Sequence, residues 1–390
     1  MGFSPLPAAM ATLAIANTIT DLIQGDVREH LPLERIPLQG DILGLGTTTS
    51  LDNGELTFLH DAAAGRTRLW KCQASDGGIH ELRPGDGSGH FPYVCFSDDA
   101  AGCRQSLDPA VLGTAEGRPL QELVREAIAH LRGAGRLEQA PIYGVRLLAE
   151  WRSLVITVAS KLCMGQLRRN RGSDPAAAGD GGGDEEGARA LYGSLQHFRI
   201  AASDPGDPKD PIRFLGASRR WECCGFWDTE PSLGRVTVPL PGASLHIHGC
   251  STDLRHGGHL HHEHAGTRLA RLESLAIYPL QRLRLLSADL AVEQAHHDGE
   301  ALRFRVANRG DLDVSDVGIA VVLDDRYSDH RYLRLPWLAA GASQSFRLPL
   351  LLPPGRHEVL VLADPERDVL EPQDRRANNG VRLELEGGHH

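Results

Sequence analysis

Hydrophobic residues recur at helical spacing in two stretches of the chain. Residues 8–24 carry apolar side chains at mixed three- and four-residue intervals and end near Gly25, which predicts a first helix. Residues 118–132 repeat this spacing more regularly and are followed by Gly133, which predicts an amphipathic helix. The apolar positions of this second helix are Leu120, Leu123, Val124, Ala127, Ile128 and Leu131.

Most of the remaining pattern favours β-strands. Between Ile36 and Cys95, short apolar runs separated by Asp/Asn/Gly turns predict strands at Asp41–Leu45, Leu56–Leu59, Arg68–Cys72 and Tyr93–Phe96. Later segments predict a strand pair at Ile142–Leu148 and Ser153–Ala159, short strands across 212–248, and a strand at Arg268–Tyr278. The Gly- and Asp-rich stretch at about 168–190 has too few apolar residues to order itself, so a flexible loop is expected there.

The pattern becomes purely β from about Leu283. Leu302, Phe304 and Val306 alternate with arginines, as on a half-buried strand. A domain boundary is therefore expected near 280–286, separating residues 1–280 from residues 283–386, with a short tail at 387–390.

Composition and charge narrow the class of protein. The 390 residues are 41% hydrophobic and 24% charged, as in an ordinary globular protein, and the formal charge is −10. This balance argues against a nucleic-acid partner, since phosphate binding needs clustered positive charge. No apolar run is long enough to span a membrane, and the N-terminal residues lack the basic start of a signal peptide. The scarcity of lysine relative to arginine fits a GC-rich bacterial genome.

The cysteines predict a reducing compartment. The seven are scattered without a C-x-x-C motif, and an odd number cannot pair completely within one chain. A cytoplasmic location is expected.

The densest chemical signal is the stretch LHIHGCSTDLRHGGHLHHEH. Positions i and i+2 of a strand share a face, so His246 and His248 could present imidazoles to one cation, with a third ligand from the next strand. Three neutral imidazoles leave one position open, which is typical of a catalytic zinc site. His-rich segments are also often solvated loops or adventitious metal binders, and composition alone leaves that alternative open.

Three motifs resemble the acetolactate decarboxylase family over about residues 10–280. The H-x-H pair is followed after ten residues by the His of a Gly-Gly-His, which resembles the zinc-binding signature of that family. Gly40–Thr47 with Leu51–Glu55 resembles its upstream signature, and Ile142–Leu147 is similar to the strand ahead of its catalytic arginine. The resemblance implies an α+β domain with a mixed or antiparallel sheet and a few helices.

The same resemblance implies the roles of individual residues. His246, His248 and His259 would bind Zn²⁺, while Thr47 and Glu55 would line the site. Zinc chelated by a hydroxyl and a ketone oxygen stabilises the enediolate left when CO₂ departs, and a glutamate then protonates it. Thr157 stands where the family has its catalytic arginine, and Glu273 is a candidate for the glutamate that the family takes from its C-terminal segment.

Residues 283–386 resemble the CARDB family, an immunoglobulin-like bacterial β-sandwich. The matching segments are Val306–Gly310, Leu338–Gly341, Pro354–Val359, Asp364-Pro365, Val369–Glu371 and Asn378-Asn379. Such modules position partners rather than carry chemistry, so a protein partner and a packing or homodimerisation role are both expected possibilities.

Three functions follow from these residues. The first is a zinc-dependent lyase that acts on a small 2-hydroxy-3-keto acid or a related carbonyl substrate. The second is a repurposed member of the same family, in which zinc polarises another carbonyl for cyclisation, hydrolysis or isomerisation in secondary metabolism. The third is a non-catalytic binding protein with a structural metal. A fourth protein ligand would favour the third function, because structural zinc sites are closed.

Overall fold

The computed structural model describes residues 11–23, 31–48, 54–83, 90–159, 193, 195–204, 209, 212–369 and 371–387. The loop expected at 168–190, the Leu51–Asn53 part of the upstream motif and tail residues 388–390 lie outside these ranges. Within them, no helix is both long and apolar enough to cross a membrane. Two compact units make up the described residues: the first holds residues 11–23 and 32–285, and the second holds residues 286–387 together with Leu31.

In the part of the chain that the structure describes, the first unit is mostly β-sheet and includes the α-helices α1 (Ile19–Ile23) and α2 (Leu120–Gly133). Its strands are β1 (Ala11–Ala16), β2 (Leu31–Pro32), β3 (Ile42–Thr48), β4 (Gly54–Asp61), β5 (Arg66–Gln73), β6 (Ile79–Leu82), β7 (His90–Phe91), β8 (Tyr93–Asp99), β9 (Gln105–Leu107), β10 (Ile142–Val158), β11 (Gln196–Ala201), β12 (Arg213–Gly216), β13 (Arg220–Asp228), β14 (Leu245–Ser251), β15 (Gly257–Leu260) and β16 (Arg268–Leu286).

One 14-stranded sheet organises this unit. Its main order is β13-β14-β15-β10-β16-β1-β8-β3-β4-β5-β6, with β11 on β10, β12 on β11 and β9 on β16. The β11–β12 pair is parallel, whereas the other pairs whose register is given are antiparallel. The sheet is therefore mixed, as predicted.

The two faces of β10 pack against different layers. On one face, Val145 and Leu147 share a hydrophobic cluster with Leu123 and Ala127 of α2, which confirms the amphipathic helix. On the other face, Arg146 donates hydrogen bonds to the carbonyl oxygens of Ile42 on β3 and Phe58 on β4, at 2.8 and 2.9 Å. The sheet thus curls so that β3 and β4 lie over β10, and β4 also contacts β14 and β15, the strands that carry the histidines.

The first predicted helix is largely wrong. Ala11–Ala16 forms β1, which pairs with β8 and buries Leu13 and Ile15 completely. The helical and the strand repeat both bury some of the same apolar positions, so the spacing alone does not distinguish them. Pairing with β8 selects the strand. Within the described residues 11–23 the helical part is α1, and it begins where Thr18 and Asp21 exchange capping hydrogen bonds.

The predicted pair of strands between 142 and 159 is instead the single 17-residue strand β10. Its pairing with β16 shifts register near Leu148, Glu150 and Trp151, so the residues between the two predicted strands continue the strand through bulges. The first half of β10 pairs with β13 and the second half with β11 and β15. This continuity brings Val158 and Ala159 to the histidine strands.

The second unit consists of two antiparallel sheets. One has the order β17 (Leu290–His297), β18 (Ala301–Asn308), β21 (Ser343–Pro349). The other has the order β20 (Arg326–Leu338), β19 (Val314–Leu323), β22 (Gly355–Ala363), β23 (Gly380–Gly387). Phe304 and Val306 of the first sheet share one core with Ile319 and Val361 of the second, and the predicted alternation along β18 is confirmed.

Candidate metal centre

Two neighbouring strands bring three histidines together. His246 and His248 lie two residues apart on β14, and His248 pairs directly with His259 on the antiparallel strand β15. One ring nitrogen of each histidine lies within 4.8 Å of the corresponding atoms of the other two. The strand geometry that the sequence suggested is thus the geometry that assembles the cluster.

Backbone carbonyls orient two of the imidazoles. The Nδ1 atom of His246 lies 2.6 Å from the carbonyl oxygen of Val236, and the Nδ1 atom of His248 lies 2.8 Å from that of Leu56. A carbonyl oxygen only accepts, so both Nδ1 atoms carry the proton and both Nε2 atoms keep a lone pair. This is the arrangement that orients histidine ligands of a metal.

The two Nε2 atoms of His246 and His248 lie only 3.1 Å apart. With a proton on each Nδ1 atom, their lone pairs face each other without a hydrogen between them. Two nitrogens bound to one tetrahedral zinc at about 2.0–2.1 Å would be separated by about 3.3 Å. The close approach therefore fits a cation shared by both rings.

His259 completes the cluster with an unsatisfied atom. Its Nε2 is buried and has no hydrogen-bond partner among the described residues. Its ring centre lies 5.0 Å from that of His246 and 5.5 Å from that of His248. A buried polar atom without a partner is costly, and a metal ligand bond would satisfy it.

Burial keeps all three imidazoles neutral. It lowers the pKa of His246 to about 4. Burial and the neighbouring imidazoles lower the pKa values of His248 and His259 well below the usual range. Neutral imidazole is the form that binds a metal, so the residues present fit Zn²⁺.

Glu55 reaches the cluster from β4. Its Oε2 atom lies 3.8 Å from Nε2 of His248, and its Oε1 atom accepts a 2.8 Å hydrogen bond from the backbone N–H of Ala159. Burial raises the pKa of Glu55 to about 8. A buried carboxyl that holds its proton near neutral pH can act as a general acid.

The two threonines singled out from the sequence both have buried hydroxyls without a hydrogen-bond partner among the described residues. Thr47 pairs with Glu55 across β3 and β4, and it lines a small cavity beside the histidines. Thr157 pairs with His259 across β10 and β15 but has no exposed surface and lines neither cavity described below.

Glu273 does not join this cluster. Its carboxylate forms ion pairs with Arg220 at 2.8 Å and Arg271 at 2.9 Å. It also lines neither cavity. The assignment of Glu273 as the second glutamate is therefore not supported by its surroundings.

Tyr93 is a residue of the site that the sequence reasoning missed. It pairs with Thr47 across β8 and β3, lines the same small cavity, and its ring is nearly parallel to that of His246 at 6.5 Å between centres. In the sequence it lies within the apolar run Tyr93–Phe96, which predicts a strand and indicates no chemical role. Only the register of β8 on β3 reveals its position.

Two cavities meet at the histidines. The inner one has a volume of about 60 Å³ and contains Glu55, Thr47 and Tyr93 together with apolar side chains. The outer one has a volume of about 720 Å³ and is lined partly by His246, His259, His261 and His262. His246 and His259 line both, so the cluster lies at the boundary between them.

Comparison with known proteins gives similarity at the level of structure only. No family model matches the chain, and neither does any curated protein. A Staphylococcus aureus protein of unknown function similar to α-acetolactate decarboxylase is 15% identical, with 70% of this chain and 88% of that chain covered and a TM-score of 0.43. The acetolactate decarboxylase of Bacillus subtilis subspecies spizizenii is 14% identical, with the same coverage and TM-score.

A shorter similarity involves a CARDB domain from Pyrococcus furiosus, solved in complex with di-metal ions. It is 16% identical and covers 26% of this chain and 90% of that chain, with a TM-score of 0.21. The solved structures found are thus of the two kinds that the motifs resemble, acetolactate decarboxylase-like proteins and a CARDB domain.

Proposed function

We propose that the chain is a zinc-dependent lyase that acts on a 2-hydroxy-3-keto acid or a related carbonyl compound. The observation that carries this proposal is the convergence of three imidazole nitrogens beside the buried carboxyl group of Glu55. A metal-binding cluster and a proton donor in one pocket are the two elements that an enediolate-forming reaction requires.

His246, His248 and His259 would hold the zinc ion. When bound, zinc supplies a Lewis acid that stabilises negative charge on substrate oxygens. The carbonyl oxygens of Val236 and Leu56 keep the ligand rings in the tautomer that presents Nε2. Among the described residues the cluster has three members and no fourth ligand, which favours an open, catalytic site over a structural one.

Glu55 would hold the proton that is returned to the substrate. Its Oε1 atom is fixed by the N–H of Ala159, which leaves Oε2 directed towards the cluster. Ile19, Leu22 and Val238 line the same inner cavity and limit the access of water. A fixed donor in a pocket with few waters protonates one face of a planar intermediate.

A separate observation supports a repurposed enzyme, one that uses the same metal centre on a substrate other than acetolactate. A substrate carboxylate is best held by an arginine fork, but the described residues that line the two cavities include neither arginine nor lysine. Loss of one such contact reduces the rate by about 10²–10³. We therefore expect weak turnover of acetolactate, with a natural substrate of different size or charge.

Zinc analysis combined with a CO₂-release assay on racemic acetolactate tests the proposal. We expect about one zinc per chain, a kcat/KM below ~10⁴ M⁻¹s⁻¹, and a further loss of about 10²-fold or more in Glu55→Gln with the zinc retained. Glu116→Gln, which changes an exposed glutamate in the same way, is the matched control.

Two results would contradict the proposal. Turnover unchanged in Glu55→Gln would remove the role of this residue, and protein without bound zinc would remove the metal centre. A kcat/KM at or above ~10⁴ M⁻¹s⁻¹ would instead favour an ordinary acetolactate decarboxylase over a repurposed one.

A further inference from the structure

The outer cavity is much larger than the inner one, at about 720 Å³ against about 60 Å³. The inner cavity holds the proton donor and has mostly apolar walls, so it suits the small reacting end of a substrate. Because the histidine cluster lies between the cavities, the rest of a bound substrate would extend into the outer one. That volume accommodates a substantial second part of the molecule.

The charged groups of the outer cavity are acidic. Glu122 on the first turn of α2 and Glu263 beyond β15 line it, whereas its described lining includes no lysine or arginine. Glu122 forms no ion pair within the part of the chain that the structure describes. Glu263 lies 3.6 Å from His261 Nε2 and 3.5 Å from His262 Nδ1.

A second feature of this cavity points to a ligand. Thr237 lines it and is only 2% exposed, yet its hydroxyl has no hydrogen-bond partner among the described residues. A buried hydroxyl without a partner is costly unless something binds to it. A polar group of the ligand would satisfy it.

From this geometry we propose that the outer cavity binds a distal arm of the substrate that carries an ammonium group. Glu122 and Glu263 are the specificity-determining residues, and Thr237 contributes a hydrogen bond. The inference rests on the proposed function, since the metal anchors the other end of the substrate. A carboxylate-bearing arm would meet two like charges, so the cavity selects against it.

Three hydroxamic acids of matched chain length provide the probes, because the hydroxamate group chelates zinc. They are 3-aminopropanohydroxamic acid with an ammonium arm, butanohydroxamic acid with a neutral arm, and succinic monohydroxamic acid with a carboxylate arm. Calorimetric titration of the zinc-loaded full chain at low salt gives their Kd values. We expect the ammonium probe to bind about three- to tenfold tighter than the neutral one, and the carboxylate probe to bind weaker by a similar factor.

The double variant Glu122→Gln/Glu263→Gln should reduce these differences to about twofold or less, since it removes both charges. Glu126→Gln is the matched control. It lies on the same helix, pairs with Arg118 and does not line the cavity, so it should preserve the order of affinities.

Two results overturn the inference alone: the carboxylate probe binding tightest, or an unchanged order in the double variant. Failure of all three probes to bind, with zinc absent by elemental analysis, overturns the metal centre and the proposed function with it. The two failures are thus distinguishable in one experiment.

Discussion

Two buried polar groups in the first unit contrast in how completely they are satisfied. Arg146 donates to Asp41 at 2.8 Å and to two backbone carbonyls, and Asp41 also accepts a 2.8 Å hydrogen bond from Tyr278. Around the histidine cluster, by contrast, the buried atoms Nε2 of His259 and Oγ1 of Thr47 and Thr157 have no partner among the described residues.

The Arg146–Asp41 pair contributes to the stability of the fold, whereas the atoms without a partner mark the candidate site. A fully paired buried charge joins β3, β4 and β10 and needs nothing further. Unsatisfied buried atoms cost stability in the protein alone, and at His259 and Thr47, which line the inner cavity, a ligand or metal can compensate for that cost. Variants of the two groups should therefore change different properties.

The largest effect is expected from Arg146→Met. It leaves Asp41 buried without its cation, which should lower the free energy of unfolding by about 3–5 kcal/mol. Denaturant titration measures the loss. Arg152→Met removes an exposed partner of Glu116 and should cost about 1 kcal/mol or less. Equal losses in both variants would contradict the structural role of Arg146.

His246→Ala should weaken zinc binding by more than about 100-fold, since it removes one of three ligands. Its unfolding free energy without zinc should change far less than that of Arg146→Met. His262→Ala, at a nearby histidine outside the cluster, should retain the zinc affinity. Competition with a chromogenic chelator measures the zinc affinities of both variants. Retention of zinc by His246→Ala together with its loss from His262→Ala would show that the ligands are assigned wrongly.

Acid should remove the stability that the ion pair between Asp41 and Arg146 contributes. Burial opposes ionisation of Asp41, but the charge of Arg146 and the hydrogen bond from Tyr278 lower the pKa of Asp41 below 3.8. A lowered folded-state pKa contributes stability above the unfolded pKa, and this contribution is lost as the pH falls. The difference in unfolding free energy between the wild type and Asp41→Asn should thus narrow as the pH falls below about 4, the pKa of an unfolded aspartate. A difference in unfolding free energy that stays constant as the pH falls would contradict this prediction.

The smallest effect has the opposite sign. Thr157→Val replaces a buried hydroxyl without a partner by a methyl group of similar size, and it should raise the free energy of unfolding of the metal-free protein by about 1 kcal/mol. Thermal or denaturant unfolding checks this, with Thr229→Val as a control because its hydroxyl donates to Pro141. Destabilisation by Thr157→Val would mean that its hydroxyl is satisfied.

The sequence predicted the cluster because its geometry is local. The i, i+2 spacing of His246 and His248 and the return to His259 depend only on strand period and one antiparallel pairing. The apolar pattern similarly predicted α2 and β18. These features involve residues close together in the chain.

Features that depend on distant pairing could not be read in this way. The contact between Glu55 and His248 requires β4 to lie over β14, and the position of Tyr93 requires the register of β8 on β3. Ala11–Ala16 became a strand because β8 was available to pair with it. The apolar spacing carries no information about which strand lies alongside.

The carbonyl oxygens of Val236 and Leu56 have a consequence for how this site varies through evolution. Every amino acid has a main-chain carbonyl, so substitutions at these two positions can preserve the proton placement on His246 and His248 as long as the strands keep their course. The side chains at these two positions can change together with the residues packed against them. Relatives could therefore keep the same imidazole tautomers without a conserved residue at positions 236 and 56. Such a similarity would be found by comparing backbone structures rather than sequences.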